Sequence, residues 1–325
     1  MTNLKNNLLD VFHTVLSQNV LGDQQYESRF KGFIGELSFQ EWARRNRDLS
    51  IFYTGGYLLP RTLKKRSIES PIYFTVSPDR PDRYSKIYFS LSKLDCEAMF
   101  FIHWNKEICF SQWQVTENIL QGAELKIPSF TVYQFNKALL EFKAVSIDTF
   151  LNYFPLKESR TQSRPIPHST IHNWKNKLLS YEYDDLLELY VQRLFFDGFI
   201  GYSREHGIPS DIDSIVFSKK SNSYFLLEIK EKDISKRPPR GFGMDTDRIN
   251  DLTILKHLTG LDIFYIVRQI DNQTNRNLVA WKIINLHDFS TNLSETTLQG
   301  GSGMGIKNGQ YPTRICPYEY FKDLK

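Results

Sequence analysis

The chain has 325 residues, of which 41% are hydrophobic and 24% charged, with a formal net charge of +4. Those proportions exclude a disordered or fibrous chain and leave room for one large core or two ordinary ones. So mild a charge admits nucleic acid as a partner without requiring it, because the distribution of charge matters more than its total.

Apolar spacing predicts helices over 7–20 and 27–46, the second running through Phe30, Phe33, Ile34, Leu37 and Trp42. Strand-like runs follow at 50–53, 72–76, 87–91 and 98–104, with a turn at 78–82. The interval 155–172 is poor in apolar residues and holds Pro155, Pro165 and Pro167, which marks a boundary. Residues 1–165 then form one expected domain and 173–325 a second. In the second, a helix is expected over 184–196, strands over 212–217 and 224–230 with a turn at 219–222, a helix over 246–258, and strands over 262–268 and 278–284. Helix, strand pair, helix and strand make an α/β layer with a mixed sheet.

The densest chemistry sits on the first strand pair of that domain. Asp213 lies in Gly-Ile-Pro-Ser-Asp-Ile-Asp, and fifteen residues later comes Leu-Glu228-Ile-Lys230. Alternation puts Glu228 and Lys230 on one face of their strand and Ile229 on the other. The two carboxylates are hard oxygen ligands suited to Mg²⁺ or Mn²⁺, and the carbonyl of Ile229 can add a third. A cation there would stabilise charge on a phosphate and lower the pKa of a bound water, while Lys230 orients that water or offsets developing negative charge. The plain alternative is an exposed acid–base set on a surface strand pair. Strand interiors are mostly apolar, however, so three ionisable groups here call for an explanation.

Through Pro209-Ser-Asp-Ile-Asp213 and Glu228-Ile-Lys230 the chain resembles the PD-(D/E)XK nuclease superfamily, restriction endonuclease type, over residues 184–270. The spacing from Pro209 to Asp213 departs from the tight Pro-Asp of the family name. The resemblance implies an α/β, mixed-sheet, restriction-endonuclease-like core with an additional N-terminal α+β region. It also implies a Mg²⁺-dependent endonuclease (Mn²⁺ substituting) that hydrolyses double-stranded DNA at specific sites. On that footing Asp213, Glu228 and Lys230 are catalytic, Asp211 is auxiliary, and a glutamate is expected on the helix before the first core strand. Glu188 is the favoured candidate, and Glu36, in Gly-Phe-Ile-Gly-Glu36, is the alternative.

Lys232, Lys236, Arg237 and Arg240 form a basic loop around Pro238-Pro239 and before Gly241-Phe-Gly243, placed to contact DNA phosphates. Arg248 and Asp251 on the next helix read as loop support or a surface pair. The glycine-rich tail at 300–305 lacks the Gly-Lys-Ser/Thr ending of a phosphate loop. No pair of histidines has convincing zinc spacing; His168 and His172 read as loop residues, and His206 as an ordinary one near the site. Cys96, Cys109 and Cys316 are too scattered for a metal knuckle and fit reduced thiols. With no long apolar stretch near the N-terminus, a cytoplasmic protein without a membrane partner is expected. The first half would supply target recognition or dimer contacts, compatible with a homodimer. Rival readings are a non-catalytic nucleic-acid-binding or assembly protein, and a repair or mobile-element nuclease working in a larger complex.

Overall fold

The computed structural model describes residues 2–17, 20, 22–46, 50–60, 62, 64–120, 123–154, 166–201, 209–236, 238–295, 297–300 and 311–324. Arg237, His206, the glycine-rich tail beyond Gly300 and residues 155–165 of the expected boundary lie outside them. In chain order the helices are α1 Thr2–Ser17, α2 Asp23–Arg45, α3 Ser85–Leu91, α4 Ile147–Leu151, α5 His168–Leu178, α6 Tyr183–Arg193, α7 Thr246–Thr259 and α8 Leu286–Thr291. The strands are β1 Ser50–Leu59, β2 Ile72–Ser77, β3 Ala98–Trp104, β4 Gln114–Leu120, β5 Ala123–Ile127, β6 Phe130–Asn136, β7 Glu141–Val145 and β8 Ser210–Ser218. They continue with β9 Ser223–Lys232, β10 Gly241–Asp245, β11 Asp262–Ile270, β12 Leu278–Asn285, β13 Thr297–Gly300, β14 Tyr311–Pro317 and β15 Lys322–Asp323.

Two compact units divide the chain, one of Met1–Glu27 with Gly56–Asp211 and one of Ser28–Gly55 with Ile212–Lys325. This is not the expected split into 1–165 and 173–325. The chain passes between units three times, inside α2 at Glu27-Ser28, inside β1 at Gly55-Gly56 and inside β8 at Asp211-Ile212, where no linker composition announces the change.

In the first unit, Tyr57–Leu59 of β1 pairs antiparallel with β2, β2 runs parallel to β3, and β6 and β7 follow antiparallel. Its core is aromatic: Tyr73, Phe74, Tyr88, Phe100, Phe101 and Phe150 are fully buried. Tyr88 sits on α3, where a strand was expected over 87–91. Ile87, Tyr88 and Leu91 are the buried residues there, a helical spacing hidden by strand-like composition. His168 and His172 likewise belong to α5 rather than to a loop. Pro167 stands at the N-cap of that helix, where proline is tolerated ahead of a first turn.

The second unit follows the expected order closely. Residues 28–45 of α2 lead into β1, which neighbours β8; β8 pairs antiparallel with β9, and β9 runs parallel to β11. A parallel pair needs a crossover, and α7 supplies it. β12 and β15 extend the sheet antiparallel, and β10, β14 and β13 form a separate three-stranded sheet. Gly55 is required where β1 meets β8, because a Cβ there would lie 1.6 Å from the carbonyl oxygen of Ile212. Phe39 and Ala43 of α2 pack with Val216, Leu227, Ile229, Ile266 and Trp281. Ile229 therefore faces α2, and Glu228 and Lys230 project from the opposite face.

Each unit is thus mixed α/β with an open sheet. Among the described residues no helix is long and apolar enough to cross a membrane, and the three cysteines are free.

Candidate active site

Ser214 pairs with Leu227 in the β8–β9 ladder, so the next step along sets Asp213 beside Glu228 on one face. Both carboxylates are sealed from water, each side chain 1% exposed, while Lys230 keeps 39% of its side chain open. The Lys230 ammonium lies 3.3 Å from Oδ2 of Asp213 and 3.0 Å from Oε1 of Glu228. One cation thus reaches an oxygen of each acid. Asp213 is further fixed by the Ile229 N–H, which donates to Oδ2 at 2.6 Å and so ties one strand's acid to the next strand's backbone.

Glu228 has a second cationic partner. Nε of Arg248, on α7, donates to Oε2 at 3.1 Å, and Nη2 donates to the same oxygen. Burial alone pushes the Glu228 carboxyl up, but Arg248 and Lys230 outweigh it and hold the group well below the ordinary carboxylate range. The acid is therefore held as an anion by its two cationic partners. Sequence reading treated Arg248 as loop support or half of a surface pair. The available signal was the buried stripe Leu252, Leu255 and Thr259, to which Arg248 belongs by helical spacing. A guanidinium on such a stripe needs a partner.

Lys232 closes β9 instead of opening a loop, and shares the face of Glu228 and Lys230. Burial lowers its pKa, with the Asp245 carboxylate opposing. It lies half-buried at the end of the strand that carries Glu228 and Lys230. Gly241 and Gly243 both lie in β10, where a Cβ on Gly241 would meet the Cys316 carbonyl oxygen at 2.0 Å. Lys236 and Arg240 remain exposed on the segment between β9 and β10. Tyr265 stands opposite Glu228 on β11, its hydroxyl donating to the carbonyl of Gly243 at 3.1 Å.

Glu188 lies on α6 in the first unit, outside the unit that holds Asp213, Glu228 and Lys230. Burial raises its carboxyl to about 7, with Lys106 opposing and Asp185, Asp79 and Asp184 adding to the rise. The first strand of the second unit is β1, and the helix before it is α2, which carries Glu36. That helix packs against β9 at Gly35, where a Cβ would sit in ordinary contact, 3.6 Å from the Glu231 backbone nitrogen. Half-buried Glu36 thus belongs to the unit of the two acids, and Glu188 to the other unit. The long insertion between β1 and β8 hid this in the sequence.

Among the described residues, no group of three or more His, Cys, Asp or Glu is placed to share a metal ion. The donor set at hand is two carboxylates, with the backbone of Ile229, next to Glu228 on β9, beside Asp213. That suits Mg²⁺, which commonly takes one or two carboxylates and fills its remaining positions with water and phosphate oxygens. Compared with protein-family models, curated proteins and solved structures, the chain finds no match.

Proposed function

We propose that the chain is a divalent-metal-dependent endonuclease acting on double-stranded DNA, with a restriction-type core in its second unit. One observation carries this reading: two buried carboxylates from neighbouring strands converge on a single half-exposed ammonium. Isolated buried acids are costly, and a cluster of them beside a solvent-reaching cation is a usual mark of a reactive site. The order of helix, strand, strand pair, crossover helix and parallel strand in this unit is compatible with the family resemblance, as is Glu36 on the helix before the first strand.

Asp213 and Glu228 would hold Mg²⁺ or Mn²⁺, with the Ile229 carbonyl as a third donor. Bound there, the ion supplies charge neutralisation for a phosphate and a water of lowered pKa. Lys230 orients the attacking water and offsets negative charge on the phosphate, its ammonium fixed by the acids on either side. Exposed Lys236 and Arg240 fix the DNA backbone in register without reading sequence. The first unit is left for target recognition or contacts with a second copy. Restriction at specific sites, as against structure-directed repair, would appear as discrete fragments.

A second reading, a nucleic-acid-binding or assembly protein that does not cut, draws support from Arg248, which already neutralises Glu228. Digestion of defined plasmids in Mg²⁺ or Mn²⁺ separates the two. The nuclease reading expects cutting by the wild type and none by Asp213→Asn, and DNA binding without cutting in either metal favours the second.

A further inference from the structure

The following rests on the nuclease reading and concerns how the same site is kept closed. Asp213, Glu228, Lys230 and Arg248 carry two negative and two positive charges within one connected set of contacts. A divalent cation entering beside Glu228 would add positive charge next to an ammonium and a guanidinium already paired with the acids, where low solvent access leaves repulsion poorly screened. One of the resident cations must then yield. Lys230 is the more exposed and touches one oxygen of each acid. Arg248 is only 18% exposed and commits two N–H groups to the single oxygen Oε2, leaving Oε1 with the ammonium as its ion-pair partner and no hydrogen bond.

We propose that Arg248 is an internal competitor for the divalent cation: it holds Glu228 in the metal-free protein and releases it when a phosphodiester arrives to take the guanidinium. Arginine suits that exchange, because its planar fork matches carboxylate and phosphate oxygens alike. Arg248 is then a positioning residue that couples metal binding to DNA binding, and each ligand raises the affinity for the other. A metal-loaded site without DNA is disfavoured, which limits cutting to bound substrate.

The test is Mn²⁺ binding to the full chain, followed by electron paramagnetic resonance, for the wild type and Arg248→Gln. The variant is expected to bind Mn²⁺ about ten- to a hundredfold more tightly, the equivalent of losing one charge-assisted competitor. Equal or weaker binding by the variant overturns the proposal while the nuclease reading stands. Failure of both proteins to bind Mn²⁺ removes that reading and the proposal together. If Arg248→Gln does not fold, the wild type decides alone through the ¹⁵N–¹H signal of Arg248 Nε. That signal is expected to move as Mg²⁺ is added and to move further when duplex DNA follows. A signal that stays fixed while Mg²⁺ binds overturns the proposal.

Discussion

Strand β9 carries a buried glutamate ion-paired with two cations on each of its faces, and the two differ in what they leave open. On one face, Glu228 meets Lys230 and Arg248 with a second acid, Asp213, alongside, and the lysine reaches solvent. On the other, Glu231 is 2% exposed between Arg268, at 2.6 Å, and Arg276, which are themselves only 13% and 8% exposed. The second set is closed. The carboxyls also shift oppositely: Glu228 is held low by its cations, whereas burial wins at Glu231 and raises it in spite of Arg276 and Arg268. Charge density alone does not separate the two; on the proposed reading the pair of acids with a solvent-facing cation is the reactive set and the sealed glutamate between two guanidinium groups is scaffold.

The largest expected contrast is in cutting. Asp213→Asn and Glu228→Gln should each lower DNA cleavage about a thousandfold or more, since the charge stabilisation lost is worth several kcal/mol. Lys230→Met should lower it about a hundredfold or more, as for a lost proton-transfer or water-orienting group. Glu231→Gln should leave cleavage by the folded protein unchanged, and equal loss from the two glutamates would erase the comparison. The next contrast is in stability: Glu231→Ala strands two buried guanidinium groups and should cost about 3–5 kcal/mol in chemical denaturation.

Acid titration of stability sharpens the same contrast. Because the Glu228 pKa is lowered on folding, the unfolded state binds more protons between the two values, so its contribution is present above the unfolded value and is lost as pH falls through the folded one. Glu231 has the opposite sign: its raised value makes stability fall as pH climbs from the unfolded value through the folded one. Denaturation midpoints against pH for Glu228→Gln and Glu231→Gln should therefore differ from wild type with opposite slopes. The smallest effect belongs to the surface. Lys236→Ala and Arg240→Ala should each weaken DNA binding at all sequences and reduce the salt dependence by about one unit of slope.

Local rules made Asp213, Glu228 and Lys230 legible, because strand alternation and a short turn need only a few neighbouring residues. The strands and helix around them were readable for the same reason. Arg248 was not, since its partner lies twenty residues back and depends on how α7 turns over β9. Glu36 was passed over because chain distance favoured Glu188, whereas the fold inserts most of one unit between β1 and β8. Lys232 read as loop because clustered charge usually means one, yet it ends β9; β10, which no apolar pattern announced, needs Gly241 and Gly243 to approach β14. In the first unit, Ile87 and Tyr88 on α3 show composition losing to spacing.

Calorimetric titration of Mg²⁺, with a cleavage-resistant phosphorothioate duplex present, into the wild type, Glu228→Gln and Glu231→Gln tests the distinction between the two faces most directly. The account predicts binding by the wild type and by Glu231→Gln, and its loss in Glu228→Gln. Binding that survives in Glu228→Gln, or that disappears only in Glu231→Gln, would contradict it.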